Sequence, residues 1–222
     1  MQRQTAVVIG ATGLIGSQLV TLLLNDNDFS EVRILTRRTI SISHPKLTVQ
    51  VVAFDNYHDL KEKMSTGHSL FCCVGTTQNK VKGDKVAYRK VDFDIPVNSA
   101  HAAIENGLKR YLLVSSIGAD PNSNNFYLKL KGEAEQAISK LPFESIHFFR
   151  PSLLLGDRKE FRAGERIAQV SMKMFSFMFL GRIKKYKPIQ SNDVAKAMIT
   201  AAKQPAHGVQ IHEYDHIIEL TK

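Results

Sequence analysis

Tyr127 and Lys131 stand four residues apart, and their side-chain types suit proton transfer. On a helix that spacing puts both on one face, where they can reach a single ligand. A phenol ordinarily ionises near pH ~10, and an ammonium beside it favours the phenolate, so the pair can exchange a proton nearer neutrality. Ser115 and Ser116 follow the apolar run Tyr111 to Val114 and would present hydroxyls at the end of a strand. Ser116, with Ser115 as the alternative, could hydrogen-bond the oxygen that gains or loses the proton. Together the residues suit interconversion of a carbonyl and an alcohol: hydride reaching carbon builds charge on oxygen, and the phenol neutralises it. Spacing alone does not single them out, because Tyr57 and Lys61 repeat it. Tyr57 follows the third apolar run with no serine partner, so it is taken as the decoy.

Such a reaction needs a hydride carrier, and the start of the chain has the pattern for one. Gly10-Ala11-Thr12-Gly13-Leu14-Ile15-Gly16 follows the short apolar run Thr5 to Ile9 and opens a helical pattern. Glycines at these positions allow a sharp turn, close approach of backbone N–H groups to a pyrophosphate, and tight helix packing. Gly10, Thr12, Gly13, Leu14, Ile15 and Gly16 are therefore the candidate phosphate cradle, reinforced by the helix dipole. Roughly 20 residues on, NAD-binding versions place a carboxylate against the ribose. This chain has Thr36-Arg37-Arg38 there. Arg37 and Arg38 favour the extra phosphate of NADP(H), with NAD(H) the weaker expectation. Asp55, after the third strand, and Gly75-Thr76-Thr77, after the fourth, are candidates for the adenine and ribose side.

These residues must be held by an alternation of strands and helices. Strands are expected at Thr5 to Ile9, Val32 to Leu35, Leu47 to Val52, Leu70 to Val74, Tyr111 to Val114, Ile146 to Phe149 and Val209 to Tyr214. Helices are expected at Leu14 to Leu24, Val91 to Asn106, Tyr127 to Ser139 and from an N-cap at Ser191 through Ala202. The order reads β-α-β throughout, which predicts an α/β fold of Rossmann type: a doubly wound parallel sheet with helices on both faces. Residues 1–222 are read as a single domain, with about 150–222 contributing a small substrate-side region. Within it, residues 167–180 are rich in Met and Phe, with basic residues following at Arg182, Lys184, Lys185 and Lys187. That stretch is expected to pack in the core or line an apolar substrate pocket, and contact with a membrane surface is a further option.

Composition narrows the classes. With 43% hydrophobic and 23% charged residues, 222 residues can bury a core without disulfides. Cys72 and Cys73 are adjacent in an apolar run and read as buried reduced thiols. A net charge of +9 attracts anions, but no zinc-finger spacing or aromatic RNA-binding signature accompanies it. No nucleic-acid partner and no metal are expected. Met1-Gln2-Arg3-Gln4 runs straight into the first strand, with neither a signal core nor a transit-peptide pattern, so the expected address is cytoplasmic. The expected state is monomer or homodimer.

With these motifs assembled, the chain resembles the short-chain dehydrogenase/reductase superfamily, in its atypical branch. Val114-Ser115-Ser116-Ile117-Gly118-Ala119-Asp120, Tyr127 to Lys131 with Gly132-Glu133, and Arg150-Pro151 with Leu154-Leu155-Gly156-Asp157-Arg158 look like the oxidoreductases related to the Tat-interacting tumour-suppressor protein. The resemblance implies a Rossmann fold, NADP(H) at the glycine loop and Arg37, a Ser-Tyr-Lys active site, and Arg150 and Pro151 on the cofactor side. It implies no particular substrate. Related sugar-nucleotide epimerases carry Asn where Asp92 falls, which argues against epimerase chemistry. A rival reading is an NADPH-binding regulator without turnover, and a third is a basic protein that binds polyanions.

Overall fold

The structure, a computed structural model, describes residues 3–76, 81–156 and 185–222. The first strand, β1 (Gln4–Ile9), buries four consecutive residues, as a strand covered on both faces must. It leads into α1 (Leu14–Asn25), whose Ile15, Leu19, Val20, Leu23 and Leu24 recur at helical spacing and bury one stripe. The chain continues through β2 (Phe29–Thr36), β3 (Leu47–Val51), α2 (Tyr57–Met64), β4 (Ser69–Cys72) and α3 (Lys85–Arg89). A π-helical turn (Lys90–Asp94) joins α3 to α4 (Ile95–Glu105). Next come β5 (Arg110–Val114), α5 (Phe126–Ile138), β6 (Ser145–Phe149) and two short strands, β7 (Leu154–Leu155) and β8 (Ile189–Gln190). The chain ends with α6 (Ser191–Lys203), β9 (Gly208–His212) and α7 (Tyr214–Glu219).

Seven strands form one sheet in the order β3-β2-β1-β4-β5-β6-β9, with every neighbouring pair parallel. The alternating residues of β1 divide between two cores. Ala6 and Val8 pack with Leu19 and Leu23 of α1 and Val194 and Met198 of α6. Val7 and Ile9 pack with Leu60 of α2, Ala100 of α4 and Ile138 of α5. The expected doubly wound Rossmann sheet is therefore present. Strand order reverses between β1 and β4, so their carboxyl ends flank the crevice where open parallel sheets bind ligands.

Several local expectations change. The connection from β2 to β3, residues 37–46, contains no helix, so β-α-β alternation fails there. Thr39-Ile40-Ser41-Ile42-Ser43 alternates with period two and Pro45 follows, a pattern that cannot give a helix an apolar stripe. The helix expected from Val91 starts earlier, at Lys85, where the Asp84 side chain accepts from the amides of Val86 and Ala87. Gln190, not Ser191, occupies the N-cap position of α6, without a side-chain capping bond. The last strand stops at His212, and Tyr214 begins a helix instead. Part of residues 150–222, assigned to the substrate side, builds scaffold: α6 joins the α1-side core and β9 pairs with β6. Thr77, Asp157, Arg158 and the 167–180 segment lie outside the described residues.

Candidate active site

The site begins where β1 ends. Gly10 has φ +84°, and a Cβ on it would lie 2.6 Å from the Cys73 carbonyl carbon, so the exits of β1 and β4 are pressed together. The Gly13 amide donates to the Gly10 carbonyl at 3.0 Å and closes the turn. A Cβ on Gly16 would stand 2.1 Å from that same carbonyl oxygen, so only glycine lets α1 start this close to the loop. The first helical bond runs from the Ser17 amide to the Gly13 carbonyl. The amides of Leu14, Ile15 and Gly16 are thus the opening N–H groups of α1 and have no acceptor within the helix. Thr12 is exposed beside them. A bare turn whose close packing excludes Cβ atoms, under a helix N-terminus, fits a pyrophosphate.

Around this loop the other expected cofactor contacts take different environments. Arg37 and Arg38 follow β2, are exposed, and form no ion pair with a described residue. Asp55 is exposed in the turn before α2. Gly75 is exposed, whereas both backbone groups of Thr76 are engaged. The Thr76 amide donates to Oδ2 of Asp92 at 2.8 Å, and its carbonyl accepts from the Tyr88 hydroxyl at 3.2 Å. Cys72 is buried and Cys73 half-buried, both are free thiols, and burial pushes both up and keeps them protonated.

Tyr127 and Lys131 lie on α5, whose start is fixed by Asn125: its side chain accepts from the amides of Tyr127 and Leu128 at 3.0 and 3.1 Å. The Tyr127 ring meets Tyr88 edge-on, with centroids 6.2 Å apart, and its hydroxyl has no hydrogen-bond partner among the described residues. Lys131 is buried, and its ammonium stands 2.8 Å from Oδ1 of Asp92, with side-chain exposures of 4% and 1%. The contact is an ion pair by distance, although Oδ1 receives no well-aligned hydrogen bond. Burial opposes the charge on Lys131, but the Asp92 carboxylate and then Tyr127 outweigh it, so the ammonium is held above the ordinary lysine range. Ser116 is half-buried and donates to the Ile117 carbonyl at 3.3 Å. Among the described residues no hydrogen bond joins Ser116, Tyr127 and Lys131 to one another.

Two expected site residues belong to a separate buried cluster. Ser115 donates to Oε1 of Glu135, so it is not a free alternative to Ser116. Arg150, expected on the cofactor side, forks onto the same carboxylate, with Nε 3.0 Å from Oε1 and a second nitrogen on Oε2. This clamp ties α5 to the ends of β5 and β6, and beside it the Pro151 carbonyl accepts from the Ile117 amide at 3.0 Å. Reasoning from the sequence missed Glu135, although it stands four residues after Lys131 on the same helix face. It also left Asp92 without a role. An open cleft of about 1040 Å3 between the ends of α1 and α6 and the C-terminal residues shares none of these groups. Lys203 there is paired with Asp26 and Asp28, which makes it a charged surface hollow and not the site of this chemistry.

Fold and loop together define a dinucleotide-binding α/β protein of Rossmann type. A family model described as NAD(P)H-binding matches residues 10–205. Protein HTATIP2 of Rattus norvegicus is 36% identical over 173 residues, covering 76% of this chain and 70% of the relative. "Protein FMP52, mitochondrial" of Candida albicans is 35% identical over 206 residues, covering 90% of this chain and 89% of the relative. Among solved structures, UDP-N-acetylglucosamine 4-epimerase from Methanobrevibacter ruminantium M1, in complex with UDP-N-acetylmuramic acid, superposes with a TM-score of 0.69. It is 18% identical, covers 99% of this chain and 81% of its own, and so speaks for the fold alone. The chain belongs to the NAD(P)H-binding family and, within it, to the atypical short-chain dehydrogenase/reductases of the HTATIP2 type. A nicotinamide cofactor goes with that membership, without distinction between NAD and NADP.

The same relatives correct the expected address. The Candida albicans protein and two further relatives are named mitochondrial, which overturns the cytoplasmic assignment drawn from the N-terminal residues. Among the described residues no helix is long and apolar enough to cross a membrane.

Proposed function

We propose that this chain is an NADP(H)-dependent oxidoreductase that interconverts a carbonyl and an alcohol, with Tyr127 as the proton donor and acceptor. One observation carries the reading: the Tyr127 hydroxyl has no partner among the described residues and stands one helical turn from a buried ammonium. The nicotinamide ring, when bound, supplies or accepts the hydride. The amides of Leu14, Ile15 and Gly16 hold the diphosphate, and Arg37, with Arg38, takes the additional phosphate that distinguishes NADP(H). Asp55 and Gly75 would border the adenine and ribose. Tyr127 delivers its proton to the substrate oxygen and recovers it in the reverse direction, while Ser116 turns its hydroxyl from the Ile117 carbonyl to that same oxygen. Lys131, four residues on, puts an ammonium on the same helix face as the phenol, where it can meet charge that develops on oxygen.

A second reading, an NADPH-binding regulator without turnover, draws support from the Asp92–Lys131 pair, whose net charge is zero. One experiment separates the two. The purified full chain is given NADPH and a panel of aldehydes, ketones and quinones, and loss of the reduced-nicotinamide absorbance is followed. Turnover that disappears in Tyr127→Phe, with NADPH binding retained by calorimetry, supports the enzyme. Tight NADPH binding without turnover of any panel member supports the regulator.

A further inference from the structure

Asp92 is the carboxylate that neither the motif nor the family resemblance assigns. It sits on the π-helical turn Lys90–Asp94, a wide turn of the kind that re-aims one side chain, between α3 and α4. Its two oxygens reach two different parts of the molecule. Oδ2 accepts the amide of Thr76, just past the end of β4, and Oδ1 faces the Lys131 ammonium of α5 at 2.8 Å. Both ionic side chains are more than nine-tenths buried, where an unpaired charge is strongly disfavoured.

We propose that Asp92 is a positioning residue of this site: its carboxylate, pinned by the Thr76 amide, keeps the buried Lys131 charged and couples it to the loop after β4. The other titratable groups that face Lys131 are Tyr127 from its own helix and Cys72 from β4, whose thiol stays neutral. Neither can replace the carboxylate as a permanent counter-charge at neutral pH. Glu135, one turn further along α5, is occupied by Ser115 and Arg150. Without Asp92, Lys131 loses its largest favourable counter-charge, and burial then favours loss of its proton. Asp92 bears on turnover only if the reaction proposed above holds, whereas the charge on Lys131 can be read without any substrate.

The test is carbon-13 NMR of lysine side chains, labelled at Cε, in the full-length protein across a pH series, with the Lys131 resonance identified by its absence from Lys131→Arg. In the unmutated chain Lys131 should stay protonated to above pH ~10.4, the reference for a free lysine. In Asp92→Asn, which keeps size and one hydrogen-bond acceptor for Thr76, its midpoint should fall by about 3 pH units. Asp92→Glu should restore most of the difference. A Lys131 that titrates below the free-lysine range in the unmutated protein overturns the proposal even if the variant fails to fold. A folded Asp92→Asn whose Lys131 midpoint matches the unmutated protein overturns it as well. If the oxidoreductase reading also holds, Asp92→Asn acquires a new alkaline limb in its rate profile at the Lys131 midpoint. Altered Lys131 titration without any turnover would leave the Asp92 assignment standing and the enzymatic reading refuted.

Discussion

Tyr57 with Lys61 and Tyr127 with Lys131 share a spacing, and their helices α2 and α5 both start from an asparagine cap, Asn56 and Asn125. Each lysine is also paired with a carboxylate from a neighbouring segment, Glu105 at 2.6 Å and Asp92 at 2.8 Å. Their surroundings diverge. Lys61 and Glu105 are 42% and 44% exposed, and the Tyr57 phenol donates to the same Glu105 at 2.7 Å. Burial and then that carboxylate push Tyr57 up to about 12, which holds its proton in place. Lys131 and Asp92 are shut away from water, and among the described residues the nearby Tyr127 hydroxyl has no partner. An acceptor already on the phenol disables a tyrosine for proton exchange, and the four-residue spacing carries no information about that acceptor.

The comparison can be broken at four points. Tyr127→Phe should reduce NADPH turnover by roughly 100- to 10,000-fold, whereas Tyr57→Phe should stay within about twofold, both measured as initial rates at saturating cofactor. Equal losses would erase the distinction between the two tyrosines. In urea denaturation, Lys131→Met should cost about 3–5 kcal/mol, because it leaves Asp92 buried without its counter-charge. Lys61→Met breaks an exposed pair and should cost about 0–1 kcal/mol. The preference for Tyr127 also requires the cofactor to lie across the carboxyl ends of the strands, anchored near β2. Arg37→Ser should therefore weaken NADPH binding by about 10- to 100-fold in calorimetry and leave NADH nearly unchanged. The smallest effect concerns the decoy. Since folding raises the Tyr57 pKa, its stabilising contribution is complete below pH ~10 and is lost as pH rises through about 12. Tyr57 is 37% exposed, so solvent screens the pair and the gain is small. A spectrophotometric tyrosine titration should lose one transition near pH 12 in Tyr57→Phe.

Much of the scaffold could be read along the chain because its signals are local. Four consecutive buried residues in β1, the glycines that follow and the apolar stripe of α1 each require a particular backbone form at their own position. The bare 37–46 connection escaped notice because an assumed alternation was carried across a stretch with no helical stripe of its own. The π turn was invisible for a different reason: the apolar spacing of the surrounding helices does not by itself show where one turn is widened. Ser115 and Ser116 are neighbours of identical type, and only the side chain that each meets, Glu135 or the Ile117 carbonyl, tells them apart.

By itself, then, the sequence determined a parallel α/β sheet, a phosphate-sized turn at the end of its first strand, and a phenol and an ammonium sharing one helix face, since all of these follow from patterns within about 20 residues. The tertiary structure alone decided the pairings across the sheet: Asp92 with Lys131 and Thr76, and Glu135 with Ser115 and Arg150. Charge and hydrogen bonding act through space, so the partner that makes a side chain reactive or inert can come from any segment that the fold brings near.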